Sequence, residues 1–251
     1  PPGAPVRNNL ASLLSTRGDG RDDLVVGIPF EDIGTVNDAG AAMVMYGTDI
    51  GLASAGSQFF SQEMAGVPGV HEAIDLFGFS FGVGDFNGDT TDDLAIGTPL
   101  EDVGSVQDAG AVYVLFGTVT VGIELAGAQY WHQGAISSNP LPDTGDRFGS
   151  ALAAGNFNQD PFDDLVITSP YQDWTTAGGD TYTDTGYLHA IYGSPGGLTN
   201  AGSEGSLLLQ NDGRYGTDVA VGNPRGSDPF LVAGQPGRTV SSQEEAGRIL
   251  I

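Results

Sequence analysis

Cysteine and lysine are absent from this chain. Without Cys no disulfide can staple the fold, and nothing marks a redox compartment. Without Lys, all eight positive charges are Arg, set against 32 acidic residues for a formal net charge of −24. A surface of that sign repels nucleic acid and anionic membranes, so no nucleic-acid partner is expected. No stretch approaches the ~20 consecutive apolar residues of a membrane helix, so no membrane insertion is expected either. No Asn-x-Ser/Thr sequon occurs. Catalytic signatures are missing too: there is no Gly-x-Ser-x-Gly elbow and no phosphate loop. His71, His132 and His189 are scattered, and the last two fall in strand-like runs that suit packing. The chain is therefore read as a non-enzyme.

Glycine is plentiful, at 40 of 251 residues, and with 14 Pro it punctuates short apolar runs. That spacing predicts many short strands. The most informative segment runs from Asp85 to Pro99, Asp-Phe-Asn-Gly-Asp-Thr-Thr-Asp-Asp-Leu-Ala-Ile-Gly-Thr-Pro. Oxygen-bearing side chains stand at its positions 1, 3, 5 and 9, and an apolar strand follows. Alternate residues of a turning backbone can converge on one hard cation, which takes oxygens at about 2.3–2.6 Å. The candidate Ca2+ ligands are Asp85, Asn87, Asp89 and Asp93, with the backbone carbonyl of Thr91. The competing reading is an Asx-type turn that needs no metal.

The segment recurs. Seventy residues earlier lies Gly18-Asp19-Gly20-Arg21-Asp22-Asp23-Leu24, and 71 residues later Asn156-Phe157-Asn158-Gln159-Asp160-Pro161-Phe162-Asp163-Asp164. A faded fourth copy starts at Tyr215-Gly216 and includes Phe230-Leu231-Val232-Ala233-Gly234-Gln235-Pro236. In the third loop Asn156, Asn158, Asp160 and Asp164 are candidate ligands, with the Phe162 carbonyl, but only two carboxylates remain. The first loop keeps Asp19 and Asp23, while Arg17 holds position 3. Arg cannot donate a lone pair, so Arg17 is expected to pair with Asp19 or Asp23 in place of an ion. Arg17-Gly18-Asp19 also spells an adhesion tripeptide, within a loop whose geometry is already accounted for.

Each copy reads as four strands. In the second these are 81–84, 94–97, 111–116 and a last one near 128–133, with counterparts of the last at 58–62 and 207–210. Four-stranded antiparallel sheets in radial repeat make a β-propeller, an all-β fold whose blades must stack to bury their faces. About four blades fit in a single domain over 1–251, with repeats near 10–70, 80–140, 147–212 and 213–251. Residues 1–9 are a candidate strand completing the last blade, although Pro1, Pro2 and Pro5 suit a ladder poorly.

Phe81-Gly82 and Phe148-Gly149, the Asp-rich loops, and the endings Gly97-Thr98-Pro99 and Gly27-Ile28-Pro29 resemble the FG-GAP repeats of integrin α subunits and of bacterial surface proteins. The resemblance implies a secreted or cell-surface, calcium-binding propeller, usually of seven blades. It also implies a ligand face formed by the second-to-third and fourth-to-first strand loops. Glu31, Asp32, Asp38, Glu101, Asp102 and Asp108 lie there, as does a longer third-repeat loop carrying Tyr171, Trp174 and Tyr182. Aromatics on such a loop suit a glycan or protein ligand, and packing of Trp174 is the alternative. The function expected is a binding, adhesion or assembly module, with possible self-assembly through blade edges. The alternatives are a polysaccharide hydrolase or lyase, or a structural subunit of a surface filament; pairs such as Glu101/Asp102 could serve the enzyme reading.

Overall fold

The computed structural model describes residues 11–136, 140–207, 211–222, 230–236 and 248–250. It is an all-β chain of successive antiparallel sheets. The first sheet is β1 (Ala11–Leu14), β2 (Asp23–Ile28), β3 (Ala41–Thr48) and β4 (Gly51–Phe60), hydrogen-bonded in that order. The second repeats it with β5 (Ser80–Gly84), β6 (Asp93–Thr98), β7 (Ala111–Thr118) and β8 (Gly122–Trp131). In the third, β9 (Leu152–Gly155) and β10 (Asp164–Ser169) are followed by an inserted hairpin, β11 (Trp174–Thr175) with β12 (Thr181–Tyr182). The sheet then resumes with β13 (Tyr187–Tyr192) and β14 (Thr199–Leu207). Among the described residues the last sheet has three strands, β15 (Val219–Gly222), β16 (Phe230–Gln235) and β17 (Arg248–Leu250). The proposed closing strand at 1–9 lies outside the described residues.

The first strands of successive sheets touch, β1 with β5, β5 with β9 and β9 with β15. They are therefore the inner strands of blades set side by side, and this is the β-propeller arrangement. Alternate residues of the middle strands face opposite neighbours, so both faces of an inner blade are apolar. Val25 and Val44 of the first blade pack on Leu94, Ile96, Tyr113 and Leu115 of the second. Ala95, Val112 and Val114 of the second pack on Leu165, Ile167 and Ile191 of the third. A smaller cluster, with Ala153, Val166, Val219 and Ala233, joins the third to the last.

The outermost strand differs from the sequence expectation. It runs 51–60, 122–131 and 199–207, starting earlier than expected and ending sooner. Positions 208–210, expected in the strand, are not among the described residues. The strand begins at a tight turn in which the Thr48 hydroxyl donates to Gly51 O (2.6 Å) and Thr118 to Gly122 O (3.1 Å). Its first half is Gly-, Ala- and Ser-rich and largely exposed, so it carries no apolar pattern to read.

Candidate functional site

The Asp at loop position 9 opens the second strand of each blade and has the same partners in three blades. Gly47, Gly117 and Gly193 donate their amides to Asp23, Asp93 and Asp164 at 2.9, 3.0 and 3.0 Å. Thr16, Phe86 and Phe157 donate to the other oxygen of each at 3.2, 3.0 and 2.8 Å. These buried carboxylates tie the calcium-type turn to the end of the third strand. Burial pushes Asp93 up to about 7, with the charges of Asp89 and Asp85 adding to it against the two amide bonds.

The position 8 Asp, which the sequence reading passed over, joins neighbouring blades. Asp92 accepts from Ser15 N (2.6 Å) while its own amide donates to Ser15 O (3.2 Å). Asp163 treats Asp85 alike, at 3.0 and 2.9 Å. The recurring Asp-Asp doublet was the available signal: one carboxylate works within the blade, the other between blades.

In the second loop Asp85 accepts from the amides of Gly88 (2.7 Å), Asp89 (3.0 Å) and Thr90 (2.9 Å). Asn87 Oδ1 accepts from Asp89 N (2.9 Å), and Asp89 Oδ1 from the amide and hydroxyl of Thr91. The turn is thus built of Asx-type bonds. Among the described residues no three Asp, Glu, His or Cys side chains stand together as a metal-binding group. A hard cation also takes amide and backbone oxygens, which Asn87 and Thr91 carry. A carboxylate has about four lone-pair sites; Asp93 accepts two protons and Asp85 three, so both keep acceptor capacity.

In the third loop Asn158 Oδ1 accepts from Asp160 N (3.0 Å) and Asp160 Oδ1 from Phe162 N (2.9 Å), repeating the second. Asn156 Oδ1, at position 1, is buried without a hydrogen-bond partner. An oxygen left so inside an Asx turn fits a cation ligand, since a buried acceptor without a partner is costly. The Phe162 ring lies over Gly88 of the second loop. In the first loop the expected pairing of Arg17 is not what forms. Its guanidinium lies 3.5 Å from the Tyr46 ring centroid, a stack that a planar cation favours. Arg21 pairs with Asp19 instead (3.3 Å), and Asp23 is held by amides.

At the opposite end, Asp32 and Asp102 accept from the amides of Asp38 (3.0 Å) and Asp108 (2.9 Å), which have left-handed φ of 52° and 49°. These carboxylates shape turns. Deeper, Glu101 is 3% exposed, with Gln62 Nε2 of the preceding blade 2.5 Å from its Oε2 and the Tyr130 hydroxyl at 3.4 Å. Burial pushes Glu101 up to about 8, with Asp75 adding. The matching pair one blade on is neutral, Gln133 with Gln172. Trp174 stacks on Tyr187 with ring centroids 6.0 Å apart, and it pairs across the hairpin with Tyr182. Arg147 and Arg214 both lie against the Tyr171 ring, at 4.4 and 5.2 Å. Trp174 and Tyr182 keep partial exposure, and Trp174 packs on Tyr187. His189 is fully buried, and burial lowers it to about 3, which suits packing.

The chain carries FG-GAP repeats: the FG-GAP repeat model matches residues 77–115 and 148–192. It is 32% identical over 182 residues to phosphatidylinositol-glycan-specific phospholipase D of Rattus norvegicus, covering 70% of this chain and 19% of that protein. It is 30% identical over 204 residues to integrin alpha-5 of Xenopus laevis, covering 79% and 16%. With integrin alpha pat-2 of Caenorhabditis elegans the identity is 29% over 258 residues, covering 93% and 19%. The chain thus spans less than a fifth of the length of these relatives. A rhamnogalacturonan lyase of Bacillus licheniformis superposes with a TM-score of 0.48 at 14% identity, over 89% of this chain and 38% of that one. Among the described residues no helix is long and apolar enough to cross a membrane.

Proposed function

We propose that this chain is a calcium-stabilised propeller module of a secreted or cell-surface protein, binding a partner and not catalysing a reaction. The observation that carries the calcium reading is the buried, unpartnered Asn156 Oδ1 at the loop position that Asp85 fills one blade earlier. Bound calcium would be held by Asp85, Asn87, Asp89, Asp93 and the Thr91 carbonyl, and more weakly by Asn156, Asn158, Asp160, Asp164 and the Phe162 carbonyl. It would supply charge neutralisation to turns now held by amide donors and the Thr91 hydroxyl. The binding reading rests on the relatives, which include integrin α subunits, and on the half-exposed Trp174–Tyr182 hairpin, which fits a protein or glycan ligand.

The test is thermal unfolding with calcium and with a chelator. At free calcium ten times the Kd, one site adds about 1.4 kcal/mol by linkage. Asp89→Ala should abolish most of the calcium-dependent rise in Tm, because the Asp89 contacts lie on the exposed turn. A wild-type melting curve indifferent to chelation would overturn the metal assignment.

A further inference from the structure

The connection from β4 to β5 crosses the first blade junction over two buried carboxyl groups. Glu101 lies in the loop after β6, and Asp75 in the connection itself. A Cβ built on Gly69 would lie 2.7 Å from the Tyr113 hydroxyl and 3.3 Å from Glu101 Oε1, so the backbone at this point is the lid over both. Gly69 also has φ +95°, which glycine adopts without steric cost. Among the described residues neither carboxyl has an ion pair. Asp75 accepts from Glu72 N at 2.5 Å. Glu101 meets uncharged donors, Gln62, Tyr113 and Tyr130.

The segment over this pair is held in a strained shape. Ile74, Leu76 and Phe77 donate their amides to the carbonyls of Asn37, Asp38 and Ala39 at 3.0, 3.3 and 3.0 Å. Ile74 and Leu76 have left-handed φ of 76° and 61°, an uncommon conformation for a β-branched or bulky residue. One blade on, Gly145 stands in place of Ile74. Such backbone persists only while its surroundings over-determine it. Earlier in the segment Met64 and Val67 donate to Ser61 O and Met64 O at 3.2 and 3.0 Å. Val67 is buried, whereas Val70 and Ile74 are exposed, so the segment is a surface strap with a packed underside.

We propose that residues 63–74 form a pH-sensitive strap, latched while Glu101 is protonated and released when Glu101 ionises beside Asp75. The groups facing Glu101 are Glu72 and Asp75 of the strap, Tyr113 of β7 and Tyr130 of β8. Asp75 also faces His71 and Asp102, and His132 lies against the Tyr130 ring. Ionising both carboxyls places two like charges in a buried junction, and lifting the strap lets water reach them. Burial raises Glu101 to about 8 and Asp75 to about 6, each with a further push from neighbouring carboxylates. Asp75 therefore ionises first, and Glu101 is the trigger. The next junction carries Gln172 in place of Glu101, so this trigger belongs to the first junction. Release uncovers Tyr113 and Tyr130 at the end of the blades where the Asp32 and Asp102 turns lie. The inference rests on neither the calcium reading nor the ligand reading.

Hydrogen exchange on the full chain, corrected for the intrinsic effect of pH on exchange, tests it. A group raised in the latched state favours the latch fully below its ordinary 4.5, and that preference is lost as pH rises through about 8. Protection of the Met64 and Val67 amides should fall by up to about tenfold per pH unit between about pH 5 and about pH 8, then level off. Amides of β10, beyond the next junction, should keep their protection. Glu101→Gln should remove most of the fall at Met64 and Val67. Gly69→Ala should expose the same two amides already at about pH 5, because its Cβ meets the Tyr113 hydroxyl. Strap protection independent of pH in the wild type would overturn the proposal. So would a fall that Glu101→Gln retains in full, or one that β10 shares, which would mark a global loss of stability. Wild-type protection in Gly69→Ala at about pH 5 would show that the lid does not touch the junction, and would overturn it too.

Discussion

Asp23, Asp93 and Asp164 sit in loops of different composition, yet each accepts an amide from the loop and a second from the glycine after the third strand. Position 9 is therefore retained for a structural reason even where the other ligand oxygens have gone. Asp23 isolates that role. Asp23→Ala should cost about 2–4 kcal/mol in chemical denaturation, since buried donors at Thr16 and Gly47 lose their acceptor. The loss should be the same with and without calcium. Glu101 offers a second test. Its carboxyl is raised from 4.5 to about 8, by burial first and then by Asp75, with Tyr113, Tyr130, Gln62 and Glu72 also facing it. A raised folded value means that its contribution is complete below the ordinary 4.5 and is lost as pH rises through about 8. Glu101→Gln copies the neutral Gln172 and cannot titrate. The variant should gain stability over wild type on going from mildly acidic to alkaline buffer. A difference independent of pH would show that Glu101 is already ionised in the fold. Sequence spacing marked Asp93 and its equivalents as loop residues because oxygen-bearing side chains recur at positions 1, 3, 5 and 9. It could not mark Glu101 and Gln62 as partners, because that contact crosses 39 residues and a blade boundary.

At the scale of the element, the inner three strands of each blade were legible and the outermost was not. Strands β6 and β10 have apolar side chains on both faces because each lies between two blades, so they read as continuous Leu-Ala-Ile and Leu-Val-Ile runs. Strand β14 faces solvent over most of its length, and Thr-Asn-Ala-Gly-Ser-Glu-Gly gives no period to follow. The turn between first and second strands was legible from its oxygens, but its packing was not. Gly88 has φ +76°, and a Cβ there would lie 2.6 Å from the Phe162 ring of the next blade. Gly88→Ala should therefore cost about 1–3 kcal/mol, part of it backbone strain and part a clash. In a Phe162→Ala background the clash disappears and the penalty should shrink to about 1–2 kcal/mol, the part due to left-handed backbone. An unchanged penalty would mean that the two loops do not touch in solution.

Over the whole molecule, stability should follow the size of the junctions, because a blade with two apolar faces is held only by its neighbours. The first junction contains Phe60, Phe77, Phe81 and Tyr113, and the second Phe86, Phe148, Leu165 and Ile191. Among the described residues the third relies on Ala151, Ala153 and Ala233, with Val166, Leu188, Tyr215 and Val219. Smaller side chains bury less apolar area, at about 25 cal/mol per Å2. The last sheet should thus open at lower free energy than the rest of the chain. Native-state hydrogen exchange reads this directly: amides of β15 and β16 should exchange faster than those of β6 and β7, which are flanked by large side chains on both faces. Adding denaturant should merge the two groups only near global unfolding, as expected when local openings precede the cooperative one. Equal protection in all four sheets, independent of protein concentration, would instead require a junction beyond the last sheet as strong as the first two.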